Sequence, residues 1–146
     1  MDALRPQLNG KWGLDHARSE SLDPFLEALG VPPIFRAAAR AATPMLQLAV
    51  GAAGLEVTTH ILLSAVKNTY SLNGISRHTG VDGSVSPSRL VMVAGRGLIL
   101  HVQHARGVIS QLFERVGAEM HMYLVLTRGG VEVVRVLRVH ARVTAA

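Results

Sequence analysis

Cysteine is absent from the 146 residues, which excludes disulfides, thiolate zinc sites and cysteine nucleophiles, and with them a secreted disulfide scaffold. Aromatic residues make up only 4%, too few for a surface that binds single strands by base stacking. No apolar run approaches the roughly 20 residues of a membrane span, and Met1 to Gly10 holds no apolar core like that of a secretory signal. Charged residues are sparse at 17%. The expectation is a soluble protein of a reducing compartment, the cytoplasm, with the nucleus also open to it.

What is present is apolar. The hydrophobic fraction of 49% is enough for a real core and argues against disorder, and the length suits one domain over residues 1–146. The net charge of +5 is unevenly spread, with five acids against three bases in residues 1–30 and five against twelve beyond. Thirteen of the fifteen bases are arginine, scattered singly rather than clustered.

Two short helices are expected near the start. Asp23-Pro24-Phe25-Leu26-Glu27-Ala28-Leu29-Gly30 has an N-cap Asp, a first-turn Pro and a Gly stop. Ile34 to Ala42 is alanine-rich and ends at Thr43-Pro44. From residue 45 onward short apolar stretches alternate with turn signals at Gly51-Ala52-Ala53-Gly54, Asn73-Gly74, Asp82-Gly83, Gly95-Arg96-Gly97 and Gly129-Gly130. No amphipathic helix of a dozen residues lies between them, so a doubly wound parallel sheet is excluded in favour of an antiparallel barrel or sandwich.

Straight alternation along the last strand puts Val131, Val133, Arg135, Leu137, Val139, Ala141 and Val143 on one face, and Glu132, Arg138, His140 and Arg142 on the other. Arg135 is thus expected to point inward, where a guanidinium needs a partner. In the strand before it, Met120, Met122, Leu124 and Leu126 form the inner wall.

At these residues the chain resembles the intracellular lipid-binding protein family, which includes the fatty-acid-binding and cellular retinoic-acid-binding proteins. The match is carried by Asn9-Gly10-Lys11-Trp12, by Glu20 to Val31, by the stretch through Pro44, by Lys67-Asn68-Thr69, by Leu98 to Gln103 and by the final two strands. It covers nearly the whole chain. The resemblance implies a mainly β fold, a ten-stranded antiparallel up-and-down barrel of the lipocalin-like or calycin kind, capped by a helix-turn-helix lid at about 22–43. It also implies a bound long-chain fatty acid or similar hydrophobic carboxylate. Two late-strand arginines would hold the carboxylate, the second in an Arg-x-Tyr motif, and direct alignment gives Arg115 and Arg135, with Leu137 in place of the tyrosine. A rival register, Arg138-Val139-His140, replaces the tyrosine with histidine, and straight alternation would put that pair on the polar face. The implied cavity and portal lining is Leu22, Phe25, Leu26, Val31, Ala39, Ala42, Pro44, Phe113, Leu126 and Leu137. The segment from Ile75 to Arg89 departs from the family, being basic and glycine-rich.

A carboxylate compensates a partly buried arginine and an alcohol does not, so an acid is favoured over retinol, while fatty acid, retinoic acid and bile acid stay open. Arg36 and Arg40 share a helix face that could meet anionic membrane. Trp12 is expected as a core anchor. No catalytic residue, metal site or cofactor is expected: His101 and His104 face opposite sides of a strand, no Gly-x-Ser-x-Gly elbow occurs, and Gly95-x-Gly97 lacks a third glycine. A basic nucleic-acid-binding module is the alternative from another class, but the second helix offers no Asn or Gln to read bases. A closed barrel leaves no free edge, so a monomer is expected.

Overall fold

In the computed structural model, which describes residues 1–61, 63–80 and 83–143, the chain forms ten antiparallel strands, three short helices and a 3-10 turn. The elements are α1 (Arg5–Leu8), β1 (Gly10–Leu14), the 3-10 turn (His16–Arg18), α2 (Asp23–Ala28) and α3 (Pro33–Ala41). Then come β2 (Met45–Val50), β3 (Gly54–Ile61), β4 (Ser64–Ser71), β5 (Ile75–Thr79) and β6 (Val85–Val93). The chain ends through β7 (Gly97–His104), β8 (Gly107–Val116), β9 (Glu119–Arg128) and β10 (Val131–Arg142).

Every strand pairs with its neighbours in sequence except β4 with β5, and β1 pairs with both β2 and β10, giving the order β4-β3-β2-β1-β10-β9-β8-β7-β6-β5. This is the expected up-and-down meander. The period-2 pattern explains it locally: in β2, Leu46, Leu48 and Val50 are buried while Gln47 and Ala49 are exposed. Gly129 and Gly130 both take positive φ, as the two-residue turn joining β9 to β10 requires.

The β4–β5 seam lacks a continuous backbone ladder and is bridged largely by side chains. The Asn68 carboxamide donates to the Thr79 carbonyl at 2.9 Å and accepts from the Thr79 N–H at 2.8 Å, imitating a strand partner. Beside it the Tyr70 hydroxyl and His78 Nδ1 lie 2.7 Å apart. Asp82, one of the expected turn residues, lies outside the described residues.

The core is not uniform along the barrel. At one end Leu4 and Leu8, one turn apart around α1, seal a cluster containing Trp12, Leu48, Leu98 and Met120. The Trp12 ring is fully buried and its Nε1 donates to the Leu8 carbonyl at 2.8 Å. This is the core-anchor role expected of it, whereas α1 is an addition to the expected elements. At the other end Phe25 of α2 plugs into Leu124, Leu126 and Val136. Inward positions near that end, among them Thr59, Ile109, Met122 and Val134, are only half-buried, so the lid end is packed less completely than the sealed end.

The lid matches the expected helices with one change at its start. Asp23 is the first residue of α2 rather than its cap, and Leu22 occupies the cap without a side-chain bond. The Asp23 carboxylate is taken instead by Arg36 at 3.2 Å and Arg40 at 2.9 Å, which clamp α3 to α2. Gly30 ends the helix with φ of 79°.

Candidate ligand-binding site

β9 alternates without interruption, so its inner face carries Met120, Met122, Leu124 and Leu126 as expected. Their cross-strand partners on β10 are His140, Arg138, Val136 and Val134 respectively. The inner wall of β10 thus reads, from the lid inward, Val134, Val136, Arg138, His140 and Arg142. Val134 and Arg138 are about 13 Å apart at the usual strand rise. At the bottom the Arg142 guanidinium lies 4.4 Å from the Trp12 ring centroid.

This is the opposite face from the one straight alternation selects, and the cause is a β-bulge. The register against β9 shifts between Glu132 and Val134, leaving Val133 as an extra residue. One extra residue exchanges every later side chain between faces. Arg135 accordingly lies on the outside, its side chain 56% exposed, with Nη2 2.7 Å from a Glu132 carboxylate oxygen. Leu137 is also outside; its N–H donates to the Glu20 carboxylate at 2.7 Å. Val131 and Val133, expected inside, are exposed. Val139 stays buried on the outer face, where the Ser19 hydroxyl oxygen accepts its N–H at 2.8 Å.

Arg115 does not reach the middle of the barrel either. It sits toward the sealed end, donating from Nη1 to the Gln7 carbonyl at 3.0 Å, with its guanidinium 5.6 Å from the Trp12 ring centroid. Arg115 and Arg135 are therefore not brought together.

The residue that the fold aims inward is Arg138. It is 7% exposed, and Nη1 donates to the Glu20 carbonyl at 2.5 Å. Among the described residues no carboxylate lies within 4.0 Å of it, although a guanidinium carries five N–H donors. Burial pushes its pKa down, the mark of a desolvated cation without an anion. His140, two residues on and deeper, is 1% exposed, and its Nδ1 has no hydrogen-bond partner. Burial, and next the charge of Arg138, push its pKa down to about 4, against an opposing pull from backbone groups of Arg138 and Met120.

The expected lining residues divide. Leu22, Phe25, Leu26 and Leu126 gather in the apolar cluster under the lid, and Phe113 is buried in the deeper one. Val31, Ala39, Ala42 and Pro44 are half-buried outside both clusters, and Leu137 faces away. Arg36 and Arg40 do share a face, but it is turned to Asp23. Two clefts, of about 440 Å³ at the β2–β3 turn and about 350 Å³ beside Arg89 and His101, lie on the outer surface and contain neither Arg138 nor His140.

No protein-family model matches this chain, and no curated protein matches it in sequence. Solved structures do. The fatty acid transporter REP1-NXSQ superposes with a TM-score of 0.84 at 23% identity, over 97% of this chain and 99% of that one. The Schistosoma mansoni fatty acid binding protein in complex with arachidonic acid gives 0.83 at 17% identity, over 96% and 98%. Fatty-acid-binding protein 1 of Echinococcus granulosus gives 0.81 at 16%, over 95% and 99%. At these identities the likeness is one of architecture: the chain has the helix-capped, ten-stranded barrel fold of the fatty-acid-binding proteins.

Proposed function

We propose that this protein is a carrier that binds a long-chain fatty acid, or a similar hydrophobic carboxylate, inside the barrel, with the head group on Arg138. The observation that carries this reading is a guanidinium that is buried, inward-facing and, among the described residues, without a carboxylate within 4.0 Å. An anionic head group would complete it with charge-assisted bonds, whereas an alcohol such as retinol would leave it uncompensated. The acyl chain would run toward the lid along Val136, Val134, Leu124 and Leu126 to Phe25. Each methylene leaving water contributes about 0.8 kcal/mol, so chain length sets most of the affinity and the arginine sets the class. The fold neighbours, named for fatty acid transport and binding, support the same reading. It is a carrier rather than a catalyst, working as a cytoplasmic monomer. During delivery it touches anionic membrane through α3, which exposes Ile34 and Phe35.

The test is displacement of a fluorescent fatty acid from delipidated protein by oleate, retinoic acid, retinol and oleyl alcohol. Oleate should displace it and retinol should not. Arg138→Gln should weaken oleate by about 10- to 100-fold and leave oleyl alcohol nearly unchanged, and Arg135→Gln should change neither. Equal losses for acid and alcohol, or a loss confined to Arg135→Gln, would remove Arg138 from the head-group role.

A further inference from the structure

His140 is the most deeply buried titratable group of the inner wall, and the carrier reading leaves its unpartnered nitrogen without a task. It shares the inner face with Arg138, two residues away, so the two Cα atoms are about 7 Å apart. An anion held by Arg138 therefore sits within reach of the imidazole. The other groups around His140 are apolar or cationic. Leu14 faces it from β1 and Met120 from β9, Arg115 lies beyond Met120 on β8, and Arg142 follows it on β10. The carboxylates of the adjoining segments are engaged elsewhere. Asp15 accepts the Arg18 N–H, Glu119 is paired with Arg18 and His121, and Glu20 accepts the Leu137 N–H.

We infer, resting on the carrier reading, that His140 is a proton-coupled second contact for the ligand head group, so that taking up the carboxylate draws a proton onto its ring and binding tightens as pH falls. The coupling is electrostatic. In the free protein the histidine is held neutral by its dry surroundings and by the charge of Arg138. A carboxylate beside both groups cancels the repulsion and accepts an N–H from the orphaned Nδ1, which favours the imidazolium. One proton, taken from solvent, then enters with the anion. Tyrosine at this position could donate a bond but could not gain a charge; histidine can do both.

If the bound state restores the histidine to its ordinary pKa, affinity rises about fourfold between pH 8 and pH 6, with uptake of about three quarters of a proton per ligand at pH 6. The experiment is calorimetric titration of delipidated wild type and His140→Gln with oleate, in pairs of buffers of different ionisation enthalpy, at pH 8, 7 and 6. Glutamine keeps a neutral N–H donor but cannot be protonated, and oleate's own titration is common to both proteins. The expected result is a wild-type affinity that gains about fourfold on the variant as pH falls, with the extra proton uptake confined to wild type. Equal slopes and equal uptake would overturn the inference while leaving the carrier reading intact. Absence of saturable oleate binding in wild type at every pH would end both.

Discussion

Replacing Arg138 with methionine should leave the ligand-free protein about as stable as wild type and, at the same time, deprive it of stabilisation by ligand. The side chain is 7% exposed and is tied to the Glu20 carbonyl by a hydrogen bond from Nη1. Exchanging buried charge for apolar volume gains about 1–4 kcal/mol in comparable cases. Against this stands the lost bond to Glu20, about 1.5–3 kcal/mol for a charged donor. The two nearly cancel, so the free variant should melt within about 1 kcal/mol of wild type, or roughly 3 °C at about 3 °C per kcal/mol for a chain of this size. Saturation with oleate at a hundredfold excess over its dissociation constant adds about 2.7 kcal/mol to wild type, or about 8 °C. The methionine variant should lose most of that increment. Four melting curves by circular dichroism, two proteins with and without oleate, decide it. A variant that melts below free wild type and still gains the full increment from oleate would show that Arg138 is a structural tie between β10 and the lid entrance, and the head-group assignment would be withdrawn.

Two further outcomes follow from other parts of the barrel. Asn68→Ala removes both bonds to Thr79 at the β4–β5 seam, which should cost about 1–3 kcal/mol and raise amide exchange at Thr79 well beyond any change in β9 and β10; unchanged exchange there would mean that the seam is held by something else. His140 titrates near pH 4 when folded and near 6.5 when free, so the unfolded chain binds the extra proton and the ligand-free protein loses stability as pH falls through that window. The full effect is about 3 kcal/mol. Urea midpoints of His140→Gln should therefore depend less on pH between 7 and 4.5 than those of wild type, and parallel curves would refute the assignment.

Most of the architecture is legible in the sequence because it rests on local signals. Turn residues such as Asn73-Gly74 and Gly129-Gly130 mark where strands must reverse, and Asn73 does adopt the positive φ such a turn uses. The lid helices are bounded by Pro24, Gly30, Pro33 and Pro44, whose backbone restrictions act wherever they occur. The alternation of β9 places its apolar residues correctly because nothing interrupts its ladder. By contrast α1 has only four residues, too short to carry a period, and its Leu4 and Leu8 matter only once the barrel end exists to be sealed.

The inner face of β10 is hidden from the sequence for a reason that lies outside β10 itself. Val131, Val133, Leu137 and Val139 look like a buried stripe, and Arg138, His140 and Arg142 look like a solvated one. Straight alternation treats the strand as a regular ribbon and hydrophobicity as a guide to the inside. Both premises fail together here. The bulge at Val133 is set by pairing with β9 across the hairpin and has no residue signature of its own, since no glycine or proline sits at it. The segment from Asp15 to Glu20 continues along the edge of β10 beyond β1, with backbone N–H groups of Asp15 and Glu20 donating to the carbonyls of Val139 and Leu137. The inner face is polar where a charged ligand head group would sit. In β10 the polar stripe is therefore the inward one, whereas in β2 and β9 the polar residues face outward, and only the position of the bulge separates the two cases.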